Sequence, residues 1–397
     1  MILNRYNIIF IGMLIFHFLV LLYLANDFSI SYKESLIYYE KNANFLTFLT
    51  NLSTKIFGQN DIALRLPFII FYLGSAIILY ALTNDYFKYQ IDRIISIAIF
   101  MALPGINSAA LLVNESIVVV FFTLLYLYLY KLNDKEYYIL LVLFLFIDNS
   151  FAILFLALFF YSMVKKDNLL LVVSLILFGI SMSMYGFEIG GKPKGYFLDT
   201  FAIYASIFSP LLFLYFFYSI YRVGIKKMEK DMYWYISVTA LGLSLLFSLR
   251  QKIQIEDFAP FVVIAIPLMV KLFMHSLRVR LKEFRKVHYT MFFISITILV
   301  LNFITLVFNK YLYIFINKPS KHFAYKHHVA KELSQKLKQM GVSNIFIYDN
   351  IMAKRLEFYN ISNIKQQKKL GSYKKNNSKI IEIKYYNKII KRFYINN

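Results

Sequence analysis

The chain has 397 residues, of which 59% are hydrophobic and only 17% charged. Soluble domains carry about 25% charged and about 45–50% apolar residues, so an ordinary soluble protein is excluded, as are disorder, a fibrous repeat and a nucleic-acid module. The net charge of +22 is uneven, with 19 basic and 4 acidic residues from position 309 onward, and the absence of cysteine rules out disulfides and Cys-based metal or redox sites.

In chain order, residues 7–25 form the first apolar run, close to the ~20 residues a helix needs to cross the hydrocarbon core. No small-residue cleavage site follows it, so a retained helix is expected. Further spans are expected near 64–83, 94–112, 116–130, 137–147, 150–164, 168–185, 200–221, 232–249, 259–275 and 289–308, eleven in all. The pair 137–147 and 150–164 reads equally well as a hairpin entering and leaving on one side. The parity is odd either way. With the N-terminus inside, the inner loops hold fifteen Lys and Arg and the outer loops eight. This bias puts the N-terminus in the cytoplasm and the C-terminus outside. The excess of Phe, Tyr, Ile, Lys and Asn fits a low-GC bacterial genome.

The first outer loop, 26–63, is too long for a bare connection. Within it Phe45, Phe48, Leu49, Leu52, Ile56 and Phe57 fall on helical spacing, with Asn44, Thr47, Asn51 and Lys55 on the other side. This is an amphipathic helix suited to the membrane interface. Two readings stand: a helix packed on the body for stability, or a lid along which a lipid-linked substrate enters. The body, 1–308, gives way to a tail, 309–397. Its apolar stripe Val329, Leu333, Leu337 and Met340 predicts a helix over 323–340 that stops at Gly341. Residues 344–348 and 379–385 read as strands and 350–358 as a short helix, a small basic α/β domain of roughly βαβ type.

Membrane-level acids are costly and tend to be functional. Glu34, Glu40, Asp61, Glu115, Asp148, Glu188, Glu256 and Asp257 share the predicted outer face. No G-x-S-x-G, P-loop, H-E-x-x-H or Rossmann glycine pattern is present. Asn114-Glu115 also reads as a helix start, Asp148-Asn149 as the turn of a hairpin, and Glu256-Asp257 as a solvated loop pair. His17 and His275 read as packing residues. No motif fixes a cofactor and a divalent metal stays open. His322, His327 and His328 are the candidates, although adjacent His327 and His328 point to different sides of a helix.

Residues 38–87 resemble the opening of the GT-C class of membrane glycosyltransferases, in particular the lipid A aminoarabinose transferases and the protein O-mannosyltransferases. Three elements carry the resemblance: Glu40-Lys41, the segment Phe57-Gly58-x-Asn60-Asp61-x-Ala63-x-Arg65-Leu66-Pro67, and Glu115 six residues before Phe121-Phe122. It is good over residues 30–130. Beyond them the Arg250 to Pro260 loop and the tail are similar to the family in layout. Two places depart from the family pattern. Lys33-Glu34 stands where its Asp-Glu signature would fall, and Asn42-Ala43 stands for Pro-Pro.

The resemblance implies a mainly α, polytopic GT-C-like fold with a small periplasmic α/β domain. It implies transfer of a sugar from a polyprenyl-phosphate carrier to an envelope acceptor (glycolipid, glycan or protein) on the outer face. Such chemistry needs a carboxylate to deprotonate the acceptor and cations to stabilise the leaving phosphate. Glu34, Glu40 and Glu115 are the carboxylates so implied, with Glu34 first and Glu40 its competitor. Lys41, Arg65, Arg250 and Lys252 are the cations. The partners are the lipid-linked sugar, the acceptor and the bilayer, with no nucleic acid. A lipid or oligosaccharide flippase and a catalytically inactive assembly homologue stand as alternatives. Transporters often show internal repeats, and none is evident here.

Overall fold

The computed structural model describes residues 5–40, 44–186, 189–190, 194–226, 230–364, 368–371, 373 and 378–396. By compactness the chain forms two units. One, here the helical unit, comprises Met1–Phe18, Phe68–Ala110 and Asn114–Phe303; the other, the mixed unit, comprises Leu19–Pro67, Leu111–Val113 and Ile304–Asn397.

Among the described residues, five helices are long and apolar enough to cross a membrane: Arg5–Asp27, Asp61–Leu82, Ser116–Asn133, Ile255–Val279 and Lys282–Val307. Three shorter apolar helices, Phe151–Lys165, Asn168–Met184 and Met232–Ser248, fall where spans were expected. The segment 137–147 yields only Tyr138–Phe144. At 1.5 Å per residue it is about 10 Å long, too short to cross alone. Asp148 makes the expected turn, its Oδ1 accepting from the Ser150 amide at 2.9 Å.

Two expected single spans are bent, and proline is the cause. Residues 94–112 become Gln90–Ala102 and Pro104–Leu111 at 55°, and 200–221 become Phe197–Phe208 and Pro210–Ile225 at 106°. Proline lacks an N–H and drives the preceding residue out of the helical region; Leu103 accordingly has ψ 129° and Ser209 ψ 142°. A break inside a membrane frees carbonyls that must be satisfied internally. At the first bend the Asn107 amide donates to the Met101 and Leu103 carbonyls at 2.7 and 2.8 Å. The Tyr72 hydroxyl also donates to Met101, at 3.2 Å, and shares a 2.8 Å bond with His17 Nδ1. His17 is thus a hydrogen-bonded packing residue.

In the mixed unit, Val329, Leu333 and Leu337 are buried along the helix Ala330–Gln339. That helix begins later than the stripe implied, because Pro319–Lys321 and Tyr325–His327 are 3₁₀ turns. Gly341, at φ +69°, follows its end. Phe346–Ile347, the helix Asn350–Glu357 and Lys369–Gly371 make a parallel βαβ step. Lys369–Gly371 pairs antiparallel with Lys388–Asn396, which pairs antiparallel with Lys379–Tyr385. The last two strands turn at Tyr386 and Asn387, both with positive φ, as a two-residue hairpin requires. Leu333, Leu337, Ile347, Leu356, Ile383 and Phe393 fill the core between helices and sheet.

Gly105 tests the first bend. A Cβ there would lie 2.4 Å from Ile207 Cγ2 and 3.3 Å from its Cα. Overpacking of this kind costs about 1–3 kcal/mol, so Gly105→Ala is expected to lower the thermal midpoint in detergent by several degrees. An unchanged midpoint would show that Ile207 can yield.

Candidate functional site

The expected site residues fall in both units, and each group is built here on its own. In the mixed unit the chain leaves the helix Arg5–Asp27 and starts the short helix Tyr32–Tyr38 with a capping box. Ser31 Oγ accepts from the Glu34 amide at 3.3 Å, and Glu34 Oε2 accepts from the Ser31 amide at 2.7 Å. Pairing the first-turn donors in this way is what the Ser-x-x-Glu pattern does. The other carboxylate oxygen accepts from the Val113 amide at 3.2 Å. Arg65 lies 3.1 Å from Glu34 Oε2 and 3.6 Å from Asp61 Oδ1.

Arg65 is fully buried, at 0% exposure, and its fork is saturated. Nε donates to the Leu111 carbonyl at 2.8 Å. Nη1 reaches the Phe28 carbonyl at 3.0 Å and those of Ala25 and Asp61 at 3.3 Å. Nη2 reaches the Ser29 carbonyl at 3.2 Å and Glu34. A planar five-donor cation suits this many acceptors, which a lysine would not reach. The reading of Arg65 as a phosphate contact is therefore corrected: it has no donor left for one. Glu34 is also reassigned. Burial alone would raise its carboxyl, but the Arg65 guanidinium, then His327 at 3.5 Å and the Ser31 N–H, hold it well below the usual carboxylate range. Such a group is a poor proton acceptor, and it positions the loop.

The tail closes this network. Asp61 Oδ2 lies 3.2 Å from Lys331 Nζ, and Oδ1 accepts from the Tyr359 hydroxyl at 2.6 Å. That hydroxyl accepts from the Ile30 amide at 2.9 Å. Arg355 donates to the Ile30 carbonyl at 2.7 Å, Ser29 Oγ at 3.0 Å and the His328 carbonyl at 2.8 Å. Lys310 bridges Asp27 at 2.6 Å and Glu332 at 3.4 Å. Residues 26–34 are thus held from both sides.

The amphipathic helix is Phe45–Phe57, capped by Asn44, whose Oδ1 accepts from the Thr47 amide at 2.7 Å. Thr47, Thr50, Ser53 and Thr54 are buried, whereas Phe48 is 59% and Ile56 65% exposed. The helix packs by its hydroxyls and Leu46 and leaves Phe48, Leu52, Ile56 and Phe57 exposed. Pro67 explains one anchor. It has no N–H for the carbonyl four residues back, and that Ala63 carbonyl accepts instead from Ser53 Oγ at 2.6 Å. Thr47 Oγ1 donates to the Ile37 carbonyl at 3.0 Å, tying the two loop helices together.

Glu40 is exposed between these helices and accepts from Asn44 Nδ2 at 2.8 Å. Lys41 lies outside the described residues. Glu115, Arg250 and Lys252 belong to the helical unit. Glu115 is half-buried at the start of Ser116–Asn133, where Asn114 Oδ1 accepts from the Ser116 amide at 3.1 Å, as a helix start requires. Arg250 and Lys252 are exposed, the latter in the strand Lys252–Ile253, which pairs with Ile189–Gly190. Glu256 and Asp257 lie in the first turn of Ile255–Val262 rather than in a loop, and the Glu256 carbonyl accepts from Ser116 Oγ at 3.2 Å. Among the described residues no three His, Asp or Glu side chains could hold a metal. His322 bonds the Asn309 carbonyl and His328 the Tyr313 hydroxyl, both at 2.8 Å.

Residues 41–147 match the sequence model of the dolichyl-phosphate-mannose-protein mannosyltransferase family. The structure is similar to crystal structures of ArnT from Cupriavidus metallidurans. In the apo state the TM-score is 0.53 at 10% identity, over 90% of this chain and 84% of that one. The chain has an ArnT-like fold. ArnT bound to undecaprenyl phosphate gives a TM-score of 0.52 at 9% identity, over 90% and 85%. No curated protein sequence matches this chain significantly. The resemblance to GT-C membrane glycosyltransferases is therefore found in sequence over 41–147 and in fold over most of the chain. The family match takes in the outward-facing helix, Asp61, Arg65 and Glu115.

Sequence reasoning missed Lys331, Arg355 and Tyr359, which lie about as far along the chain from their partners as it allows. For Glu34 a signal was present: Ser31-x-x-Glu34 is a capping-box pattern.

Removing one partner of a buried pair costs about 3–5 kcal/mol. Arg65→Met is therefore expected to destabilise the mixed unit by that order, read as faster trypsin cleavage after tail lysines. Wild-type resistance would make the network dispensable.

The pH response follows from His328 and Glu34. Burial, with Lys310, His322, His327 and Arg355 nearby, pushes the His328 imidazole down to about 2. Both folded values lie below the unfolded ones, about 6.5 for His and about 4.3 for Glu. Each contribution is complete above its unfolded value and lost as pH falls below it. The thermal midpoint is expected to hold above about pH 7 and to fall from about pH 6.5 downward. His328→Gln should make the part above about pH 5 shallower, with His322, also lowered by burial, supplying the remaining slope. Superimposable profiles for the two proteins would remove His328 from the account.

Proposed function

We propose that this chain is a GT-C type glycosyltransferase that moves a sugar from a polyprenyl-phosphate carrier to a cell-envelope acceptor outside the bacterial inner membrane. The observation that carries the reading is the helix Phe45–Phe57, with hydroxyls buried and aromatic and aliphatic side chains outward, inside the segment that matches the mannosyltransferase family. A surface of that kind, lying along the interface, guides a lipid-linked donor. The structure of ArnT with undecaprenyl phosphate supports a polyprenyl-phosphate carrier.

Glu40 is our choice for the acceptor-activating base in place of Glu34, because it is exposed and the neutral Asn44 amide donates to it. It takes the proton of an acceptor hydroxyl or amine as that atom bonds to the anomeric carbon. The bond from that carbon to the phosphate oxygen breaks, and its electron pair leaves with the polyprenyl phosphate. Lys41, next in sequence, supplies a cation for the charge that develops there. The topology has an odd number of crossings, with a cytoplasmic N-terminus and residues 309–397 outside.

General-base help is worth about 10²–10⁴-fold. Glu40→Gln should lower sugar transfer in membranes by that order with expression intact, and Lys41→Ala should weaken donor use. Full transfer by Glu40→Gln would reject the base. Absence of transfer from any polyprenyl-phosphate sugar by the wild type would reject the activity.

A further inference from the structure

The helical unit holds a cavity of about 540 Å³ that the proposed chemistry does not use. It lies where the helices Pro210–Ile225 and Ile266–Val279 end and Gln90–Ala102 begins, so its rim belongs to the loops that carry the Lys and Arg excess. Glu256 stands at the opposite end of the Ile255–Val279 span, near the start of Ser116–Asn133.

The charges in this cavity do not cancel. Asp92 is consumed by Arg278, which grips it with two bonds of 2.6 and 2.5 Å. Asp231 caps the helix Met232–Ser248, accepting from the Trp234 amide at 3.0 Å and from the Tyr86 hydroxyl at 2.9 Å. Asp92 is thus neutralised, whereas Asp231 takes its hydrogen bonds from neutral donors and acts on Lys271 at longer range; the lining still holds three cations, Lys88, Lys271 and Arg278, against two carboxylates. The Lys271 ammonium sits 4.0 Å from the centre of the Tyr86 ring, and Lys88 is exposed on the rim. Neither lysine is within ion-pair distance of a carboxylate among the described residues. Below them the wall is apolar, with Phe87, Leu268 and Leu272 buried. A cationic rim over an apolar wall, at the ends of membrane helices, matches a phosphate ester attached to hydrocarbon. Basic pockets between helices on the cytoplasmic side take such headgroups.

We propose that this cavity binds the phosphate of an anionic phospholipid, with Lys88 and Lys271 as its cations. The phosphate carries the charge, Tyr86 and Tyr89 border the headgroup, and the acyl stems lie on the leucine wall. This site stands apart from the transfer reaction and does not depend on it.

The test titrates the full chain in detergent with phosphatidylglycerol or phosphatidylcholine and counts bound lipid by native mass spectrometry. A basic residue at an anionic surface is worth about fivefold in affinity, so Lys88→Ala with Lys271→Ala should weaken phosphatidylglycerol binding roughly ten- to thirtyfold. Lys282→Ala with Lys286→Ala removes the same charge outside the cavity lining and should leave binding unchanged. The lipid-free thermal midpoint of both double variants should equal that of the wild type, showing that the fold is retained. Equal weakening by both pairs, no weakening by the first, or equal binding of phosphatidylcholine would overturn the site. Displacement by millimolar glycerol phosphate would replace the lipid with a soluble phosphate ester, and its failure to displace supports the lipid.

Discussion

One guanidinium organises the mixed unit. Arg65 is fully buried, and its donors are shared among the carbonyls of Ala25, Phe28, Ser29, Asp61 and Leu111 and two carboxylates. Taking such a cation out of water is costly, and only a complete shell of acceptors makes it tolerable. That shell requires the chain at 25–29 to curve around the side chain, Glu34 to turn inward, and 111–113 to approach. The outer loop therefore has a fixed shape without a core of its own. Glu40 and the outward helix hang from the far side of that scaffold.

A second constraint is the membrane's demand that backbone groups find internal partners. At two of the prolines that interrupt helices here, a polar side chain collects carbonyls at the break. Asn107 does so after Pro104, and Ser53 does so for Pro67. The second case does more than repair a span, because the donor lies on another helix. A defect in the second crossing becomes a fastening point for the interface helix.

The apolar runs were legible because lipid forces length and composition on any spanning helix. The bends at Pro104 and Pro210 were readable in principle but were absorbed into long apolar windows. In the tail the helix ending before Gly341, the helix Asn350–Glu357 and the strand Lys379–Tyr385 are legible from period, whereas the strands Lys369–Gly371 and Lys388–Asn396 are not. Glu34 reads in the sequence as a carboxylate among cations, which it is, but its burial is not written in a local pattern. Tyr359 and Arg355 had no signal, since their partners Asp61 and Ile30 lie 298 and 325 positions away. A family resemblance finds residues that sit in motifs, and contacts made across most of a chain lie outside it.

That separation also sets a timetable. Asp61 leaves the ribosome long before Tyr359, which is 298 residues behind it. At about 5–20 residues per second the interval is roughly 15–60 s. Throughout it Asp61 and the backbone around Ile30 lack their tail partners, while helix after helix is still being inserted. The segment 26–63 is thus among the first to be made and among the last to be finished. A quality-control protease meeting the nascent chain would find its cleavable stretch there.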